Sequence, residues 1–520
     1  MTTETVTPNR SPLTPERESF WHLVHSEWTK FRTVRGWVIA VLVTIVAITA
    51  FVFAAIGVGR SCVGPGGPSA CPAQPTGPGG EPVQDAFYFA HQPVTGNGTI
   101  TVQVTSLTGQ VAVPQAGSES DGPPVGPGMP PWSKAGIIIK QNTSQGSAYG
   151  AMMVTGSHGV RMQWDYVNDT PGLAGGVSAS APRWLRLVRD GATITGYDSA
   201  DGTHWTPVGT AVLPELTSTV QVGLFVAAPG EGNSTTATGV FRHIWLSWPA
   251  AGWKGTNVGG VGQNFVSVPG TLRQSVGTLT MTGSGDISPA VGSTYSGGGQ
   301  SLQRALAGTF FGLIPLIVVA AMFITAEYRR GLIRVSLTAA PRRGRLLAAK
   351  AVVIGAVGFV AGLVAAILAL AVGTPLLRRA GGLQWPVPLL TEARMVVGTA
   401  ALLALAAVLA LAIGTIVRRS APAVAIVIVV ILVPYLLAFN PVPGSQGSGN
   451  GAGPAWPLQI TPAAALSVQQ AVPRFYQLND SYSLQNGYYP LGPWVGLAVE
   501  CAWAAAALTL AYYVLRRRDA

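Results

Sequence analysis

Two hydrophobic patterns divide this chain. Six long apolar runs stand at Trp37 to Val58, Ala305 to Ala326, Ala351 to Leu377, Met395 to Val417, Ala421 to Phe439 and Trp494 to Leu515. Each offers roughly the 20 residues an α-helix needs to cross a bilayer with its backbone hydrogen bonds closed internally. Only the last holds a charge, Glu500. The first run starts after residue 36 and is too long for the apolar core of a cleavable leader, so it is expected to stay as a span. Between the first and second runs the pattern changes. GTITVQVTSL, AGIIIKQN, AYGAMMVTG, VRMQWDYV, RWLRLVRDG, TITGYDS and VQVGLFVAA are short strand-like pieces at a spacing of about ten residues, the rhythm of a sandwich. Asp190-Gly191 and Asp201-Gly202 supply hairpin turns, and the alternation of RWLRLVR predicts at least one wet face.

The expected organisation follows. Residues 1–36 precede a first helix at 37–58, a Pro/Gly-rich tether fills 59–83, and an all-β sandwich occupies 84–250. A Gly/Ser/Thr-rich stretch at 251–304 is either extra strands or a stalk, and 305–520 carries the remaining five helices. A second loop, about 440–493, is rich in Gly, Pro and Tyr and shows no readable period.

Composition agrees with a membrane protein. Only 10% of residues are charged, against roughly 25% in soluble domains, and mean hydropathy is +0.38. The net charge of +11 does not point to nucleic acid, because the basic residues sit beside apolar runs and build no basic face with interleaved aromatics. They read instead as topology determinants. Lys30, Arg32 and Arg35 precede the first span. Arg329, Arg330, Arg334, Arg342, Arg343, Arg345 and Lys350 lie between the second and third, against the single acid Glu327. Arg418 and Arg419 separate the fourth from the fifth, and Arg516, Arg517 and Arg518 follow the sixth. Positive residues stay inside, so both termini are expected in the cytoplasm and 59–304 outside a multi-pass plasma-membrane protein. Arg378, Arg379 and Arg394 dissent.

Candidate chemistry is sparse. Cys62 and Cys71 share the tether and could pair in an oxidising compartment, whereas Cys501 sits inside an apolar run. No phosphate-binding G-x-x-x-x-G-K-[ST] loop, no G-x-S-x-G and no metal-ligand spacing of histidines occurs, so neither cofactor nor metal is expected. Asp190, Asp198 and Asp201 read as turn residues rather than a catalytic carboxylate pair. Glu500 is either a residue lining an exit route for a polar or cationic substrate, with Arg378, Arg379 or Arg394 as partner, or a hydrated residue near the outer interface. In SFWHLVHSEWTKFRTVRG the residues Phe20, Leu23, Val24, Trp28 and Phe31 recur at helical spacing, which predicts an amphipathic helix lying in the membrane interface.

Two resemblances add to this reading. WSKAGIIIKQ, RWLRLVRDGATITGYDSADGTHWTPVG and VQVGLFVAA resemble the concanavalin/laminin-G-like jelly rolls that bacteria append to secreted glycosidases, over about residues 84–246. Such domains often bind carbohydrate. The resemblance therefore implies cell-wall or extracellular glycan as a partner, with Trp132, Trp164, Trp184 and Trp205 able to stack on sugar rings or simply to fill the core. TAEYRRGLIRVSLTAAPRRGRLLAAK, with SEWTKFRTVRGW near the start and LGPWVGLAVECAWAAAALTLAYYVLRRRDA at the end, resembles actinobacterial ABC-type permeases of the drug/polysaccharide-export class. That family lacks the large insertion. The resemblance implies a six-helix permease bearing an inserted jelly-roll ectodomain, a separate ATP-binding subunit that does the hydrolysis, and a second permease copy or paralogue, since six spans are half the usual complement. It also implies that the ATPase subunit is touched by Glu27, Trp28 and Lys30 in one segment and by Glu327, Tyr328, Arg329, Gly331 and Arg334 in the other. The alternative is a membrane-anchored glycan-binding receptor or sensor without transport; a tethered glycan-active enzyme is disfavoured for want of carboxylates.

Overall fold

The computed structural model describes residues 19–57, 62–64, 67–69, 75–112, 125–230, 235–249, 251–260, 268–291, 302–329, 331, 342–379, 384–439, 455–478, 484 and 487–517. Helix α1 (Phe20–Thr33) bends at Val34 into α2 (Arg35–Gly57). Beyond an inserted β-domain come α3 (Thr309–Arg329), α4 (Arg343–Arg379), α5 (Leu389–Val417), α6 (Ser420–Phe439), the one-turn α7 (Pro457–Ile460) and α8 (Pro493–Arg517). Among the described residues six helices, α2 to α6 and α8, are long and apolar enough to cross a membrane. Helix α4 is longer than its apolar run. Its 37 residues span about 55 Å at 1.5 Å each, well beyond the roughly 30 Å of bilayer hydrocarbon. Hydropathy stops at Lys350, but backbone hydrogen bonding does not, and Leu346 and Leu347 are buried on the extra turns.

The β-domain is two antiparallel sheets face to face. One has seven strands in the order Asn168–Pro171, Val160–Trp164, Tyr149–Thr155, Lys134–Lys140, Thr219–Ala227, Phe87–Thr95 and Lys254–Val258. The other has eight, in the order Thr206–Val212, Thr193–Ser199, Arg183–Asp190, Gly98–Ala112, Thr236–Leu246, Thr278–Gly283 and Thr271–Ser275, with Val125–Pro127 paired to the end of Gly98–Ala112. Residues beyond 251 thus feed strands into both sheets. Ile100, Val102, Val104, Ile137, Ile139, Leu185, Leu187 and Leu224 fill the space between them. The second sheet keeps a wet outer face, as the alternation of Arg183–Asp190 foretells.

The seven-stranded sheet is buried on both faces, which is why AGIIIK and AYGAMM lack alternation. Its outer face carries Phe87, Phe89, Ile138, Tyr149, Met153 and Phe225, covered by Val83, Ile287 and Tyr166. The cover is a strap. Val83–Asp85, where the chain enters the domain, pairs antiparallel with Ile287–Pro289, where it leaves. Two buried ion pairs bolt the strap to the sheet: Lys140 Nζ to Asp85 Oδ2 at 2.8 Å and Lys134 Nζ to Asp286 Oδ1 at 2.6 Å. Tyr166 Oη donates to Asp85 Oδ2 at 2.6 Å. Cys71 and the side chain of Cys62 lie outside the described residues, so their pairing remains an expectation.

The domain also rests on the helices. Trp385 Nε1 donates to the Ala290 carbonyl at 3.2 Å, Gln477 Nε2 donates to the Tyr166 carbonyl at 3.0 Å, and Val291, Trp385, Val472 and Tyr488 form an apolar cluster at the joint. Part of the loop that lacked a period therefore has a packing role. Its 3₁₀ helix Pro462–Gln469 is buried along its whole length against α5 and α8. Gly496 permits that approach: a Cβ there would sit 2.1 Å from the Ala464 carbonyl oxygen.

Asp165 opens the turn that meets the helices, with φ of 44°. Burial, helped by the charges of Glu215 and Glu81, pushes its carboxyl from 3.8 up to about 6, against the Tyr149 N–H that it accepts and against Lys140. The folded state therefore holds a proton that the unfolded chain has released. Stability from this site is full below pH 3.8 and is lost as pH rises through about 6. Glu81 and Asp198 are raised by burial too and share the slope. Asp165→Asn is expected to raise the thermal midpoint of the full chain at pH 7, leave it unchanged near pH 4 and flatten the profile between. Midpoints measured across that range check this.

Candidate functional site

One end of the helical bundle gathers the basic clusters. Arg343 Nη1 donates to the Leu515 carbonyl at 2.7 Å, and the Arg418 guanidinium lies 5.2 Å from the Tyr328 ring centre. At this end α1 crosses the tips of α3 and α4. Glu27 and Phe31 sit one turn apart on α1 and both point inward, at 1% and 3% exposure. Phe323 and Glu327 repeat the spacing on the last turns of α3. Lys350 stands two turns into α4, fully buried. Its ammonium donates to Glu27 Oε2 at 2.6 Å and Glu327 Oε1 at 2.7 Å, and lies 4.5 Å from the Phe323 ring centre. Lys30 completes the group from the solvent side, 2.6 Å from Glu27 Oε1 and 3.3 Å from Glu327 Oε1. Phe31, Trp37 and Phe323 pack around it edge to face or tilted, with ring centres 5.4 to 6.0 Å apart.

Two ammoniums and two carboxylates balance, which is the condition for burying them together. Partial burial alone would lower the Lys30 pKa, but the hydrogen bond and charge of Glu27 and the charge of Glu327 outweigh it and hold the pKa above its usual value. Glu327 Oε2 has no hydrogen-bond partner among the described residues. The group joins three helices by short charge-assisted bonds, so α1 cannot tilt without moving α3 and α4 or breaking them.

This placement changes the roles read from the sequence. Glu27 and Glu327 face the interior and hold α1 from behind; on α1 the exposed aromatics are Trp28 at 43% and Trp21 at 70%. Tyr328 is half-buried and Arg329 is exposed. Helix α3 stops at Arg329, and Gly331, at φ of 68°, turns the chain away, so α3 does not continue through Gly331. Arg334 lies outside the described residues. Sequence reasoning counted Lys350 only as a topology charge. Its signal was a lone lysine at the mouth of an apolar run, with an acid at the mouth of the preceding one.

Residues 185–520, more than half of the chain, match the family described as ABC-2 family transporter protein. The chain belongs to that family. It is thus a multi-pass plasma-membrane protein of a non-catalytic permease class. Among curated proteins none matches it. Solved structures resemble parts of it, two of which follow. A functionally unknown protein from Saccharomyces cerevisiae is 16% identical, with 31% of this chain and 74% of that chain covered and a TM-score of 0.21. Scytalido-glutamic peptidase is 7% identical, with 38% and 98% covered and a TM-score of 0.25. Likeness at that level carries no function across.

In this ABC-2 family protein the opposite, sandwich-bearing end of the bundle holds a second polar group. Gln469 Nε2 donates to Thr309 Oγ1 at 2.9 Å and to Thr399 Oγ1 at 3.1 Å, all three side chains being buried. Glu500 shares the inward face of α8 with Gly496 and Ala504, is 1% exposed, and has no ion pair among the described residues; Oε2 lacks a hydrogen bond. It is buried within the protein, and among the described residues none of Arg378, Arg379 and Arg394 pairs with it. The tryptophans divide. Trp132 is buried and stacks on His158 with ring centres 4.0 Å apart, and Trp164 packs against the sandwich core. Trp184 stacks on His243 at 5.5 Å, and Trp205 lies beneath the Arg186 guanidinium at 3.7 Å, both on the outer face of the second sheet. A register shift between Arg242 and Trp245 brings Trp245 to the same face, 56% exposed and not singled out from the sequence. Asp201 is a turn residue, accepting the Thr203 and His204 N–H groups, whereas Asp198 is buried in a strand and accepts the Leu173 N–H.

Proposed function

We propose that this chain is the permease subunit of an ATP-driven exporter, with the arginine-rich end and both termini in the cytoplasm and the sandwich outside. A separate ATP-binding subunit docks on the outward surface of α1, around Trp21, Trp28 and Lys30, and on Arg329 and the chain that follows. A second permease copy or paralogue completes the pathway. The observation that carries the reading is the buried Glu27–Lys350–Glu327 group, which ties a surface helix to the ends of two spans. A push on α1 then becomes a tilt of α3 and α4, which is what a motor outside the membrane requires. Glu500, an inward carboxyl without an ion pair among the described residues, is the candidate exit-route residue. Any glycan contact falls on the face of Trp184, Trp205 and Trp245, because the strap covers the outer face of the other sheet.

Mild-detergent purification on this chain from its native membrane is the test. An ATP-binding protein should co-purify, and the pair Trp21→Ala and Trp28→Ala should reduce it about tenfold or more without lowering the permease itself. Recovery of the permease with no nucleotide-binding protein would refute the assignment in favour of the receptor reading.

A further inference from the structure

At the arginine-rich end a groove of about 860 Å³ separates the first turns of α4 from the last turns of α8. Arg342, Arg343, Arg345 and Arg516 line its mouth, no acid among the described residues lines it, and Leu347, Ala351 and Leu508 form its deeper wall. None of the ion pairs among the described residues uses Arg342, Arg345 or Arg516. The groove is built rather than incidental. Arg343 closes one end through its bond to the Leu515 carbonyl. Tyr512 forms a wall: its ring lies close against Gly344, where a Cβ would come within 2.7 Å of Cε2, and its hydroxyl accepts a bond from Arg516 Nη1 at 3.3 Å. The groove also opens on the N-terminus of a long helix, the positive end of its dipole.

We infer that this groove binds the headgroup of an anionic glycerophospholipid, with acyl chains running down the adjoining outer surfaces of α4 and α8. Guanidinium groups pair with phosphate through two parallel N–H bonds, and Arg342, Arg345 and Arg516, which have no ion pair among the described residues, converge on a place that suits an anion. The acyl part follows from the neighbourhood: Val352, Leu510 and Tyr513 are 44%, 51% and 48% exposed just beyond the groove, an apolar surface that suits hydrocarbon. Basic pockets between spans are a recurrent way of holding acidic lipids. An acidic surface of the ATP-binding subunit would match the arginines but not this apolar continuation. The inference needs the helices to lie in a bilayer and does not depend on which end is cytoplasmic or on transport.

Native mass spectrometry of the purified full chain tests it, with phosphatidylglycerol and phosphatidylcholine of matched acyl chains offered together. Phosphatidylglycerol should be retained in preference. The double variant Arg345→Gln and Arg516→Gln, which leaves the Arg343–Leu515 bond in place, should lower its retention roughly 30-fold while phosphatidylcholine stays constant and the thermal midpoint is kept. Equal retention of the two lipids by the native chain would overturn the inference. So would undiminished phosphatidylglycerol in the variant, or inorganic phosphate binding as tightly as the lipid. Loss of a co-purified ATP-binding protein from the variant with lipid retention unchanged would assign the groove to that subunit instead.

Discussion

Lys350→Met is expected to destabilise the protein by about 3–5 kcal/mol, the usual consequence of removing one member of a buried ion group. Methionine fills nearly the same volume, so little of the loss is packing. What remains is Glu27 and Glu327 with one cation, Lys30, between them on the solvent side, both having lost bonds of 2.6 and 2.7 Å to the buried ammonium. The cation–π contact with Phe323 goes too, worth up to about 2 kcal/mol where water is excluded. Lys30 cannot substitute, because it approaches from the solvent side and its side chain is 43% exposed. In membranes the variant should accumulate to a small fraction of the native level and melt at a markedly lower temperature. The triple variant Glu27→Gln, Glu327→Gln and Lys350→Met removes the charges together and should recover most of the stability. If the group also transmits force, the triple variant will fold yet lose the link between ATP hydrolysis and transport. A triple variant with native stability and native coupling would leave the joint as a structural rivet only.

The second large effect lies in the sandwich. Lys140→Met strands Asp85, which is fully buried and already has one carboxylate oxygen, Oδ1, without a hydrogen bond among the described residues. Tyr166 Oη and the Gly146 N–H still donate to Oδ2, at 2.6 and 2.8 Å, so the remaining anion is only partly satisfied. A loss of about 3–5 kcal/mol is expected, concentrated on the strap that covers Phe87, Phe89 and Phe225. Limited proteolysis should cut near residues 75–85 in the variant and not in the native protein, with the helices left intact. Lys140→Met combined with Asp85→Leu should restore protection, since an apolar pair of similar volume can replace a buried ion pair at little cost. Cleavage that persists in the double variant would mean that the strap depends on more than this pair.

The membrane spans, the inserted β-domain and the segments that reach the joint were legible. The chemistry of the joint was not. The period of α1 puts Glu27 in the middle of its apolar stripe, between Val24 and Phe31, and Trp28 at the edge, but nothing local says how a carboxylate could be buried there, because its oppositely charged partner waits 323 residues away. Similarly, AGIIIK reveals a strand buried on both faces, but nothing in its pattern says that the chain's own entry and exit strands provide the cover. Trp245 escaped notice because a register shift, not alternation, turns it outward.

The division has a physical basis. Properties that average over neighbouring residues are written in the order of the chain: twenty apolar side chains exclude water whatever surrounds them, and a period of two makes a strand with two unlike faces. Sequence by itself therefore determined the six spans, the sandwich between the first two, and the basic clusters that end the helices. Pairings between single charges are not averages. Lys134 and Lys140 with Asp286 and Asp85, and Lys350 with Glu27 and Glu327, each depend on which side chains meet across sequence distances where many partners are chemically equivalent. Only the tertiary structure could choose among them. The choice follows from burial, because a charge taken out of water must find its counter-charge within about 3 Å or give up its ionisation.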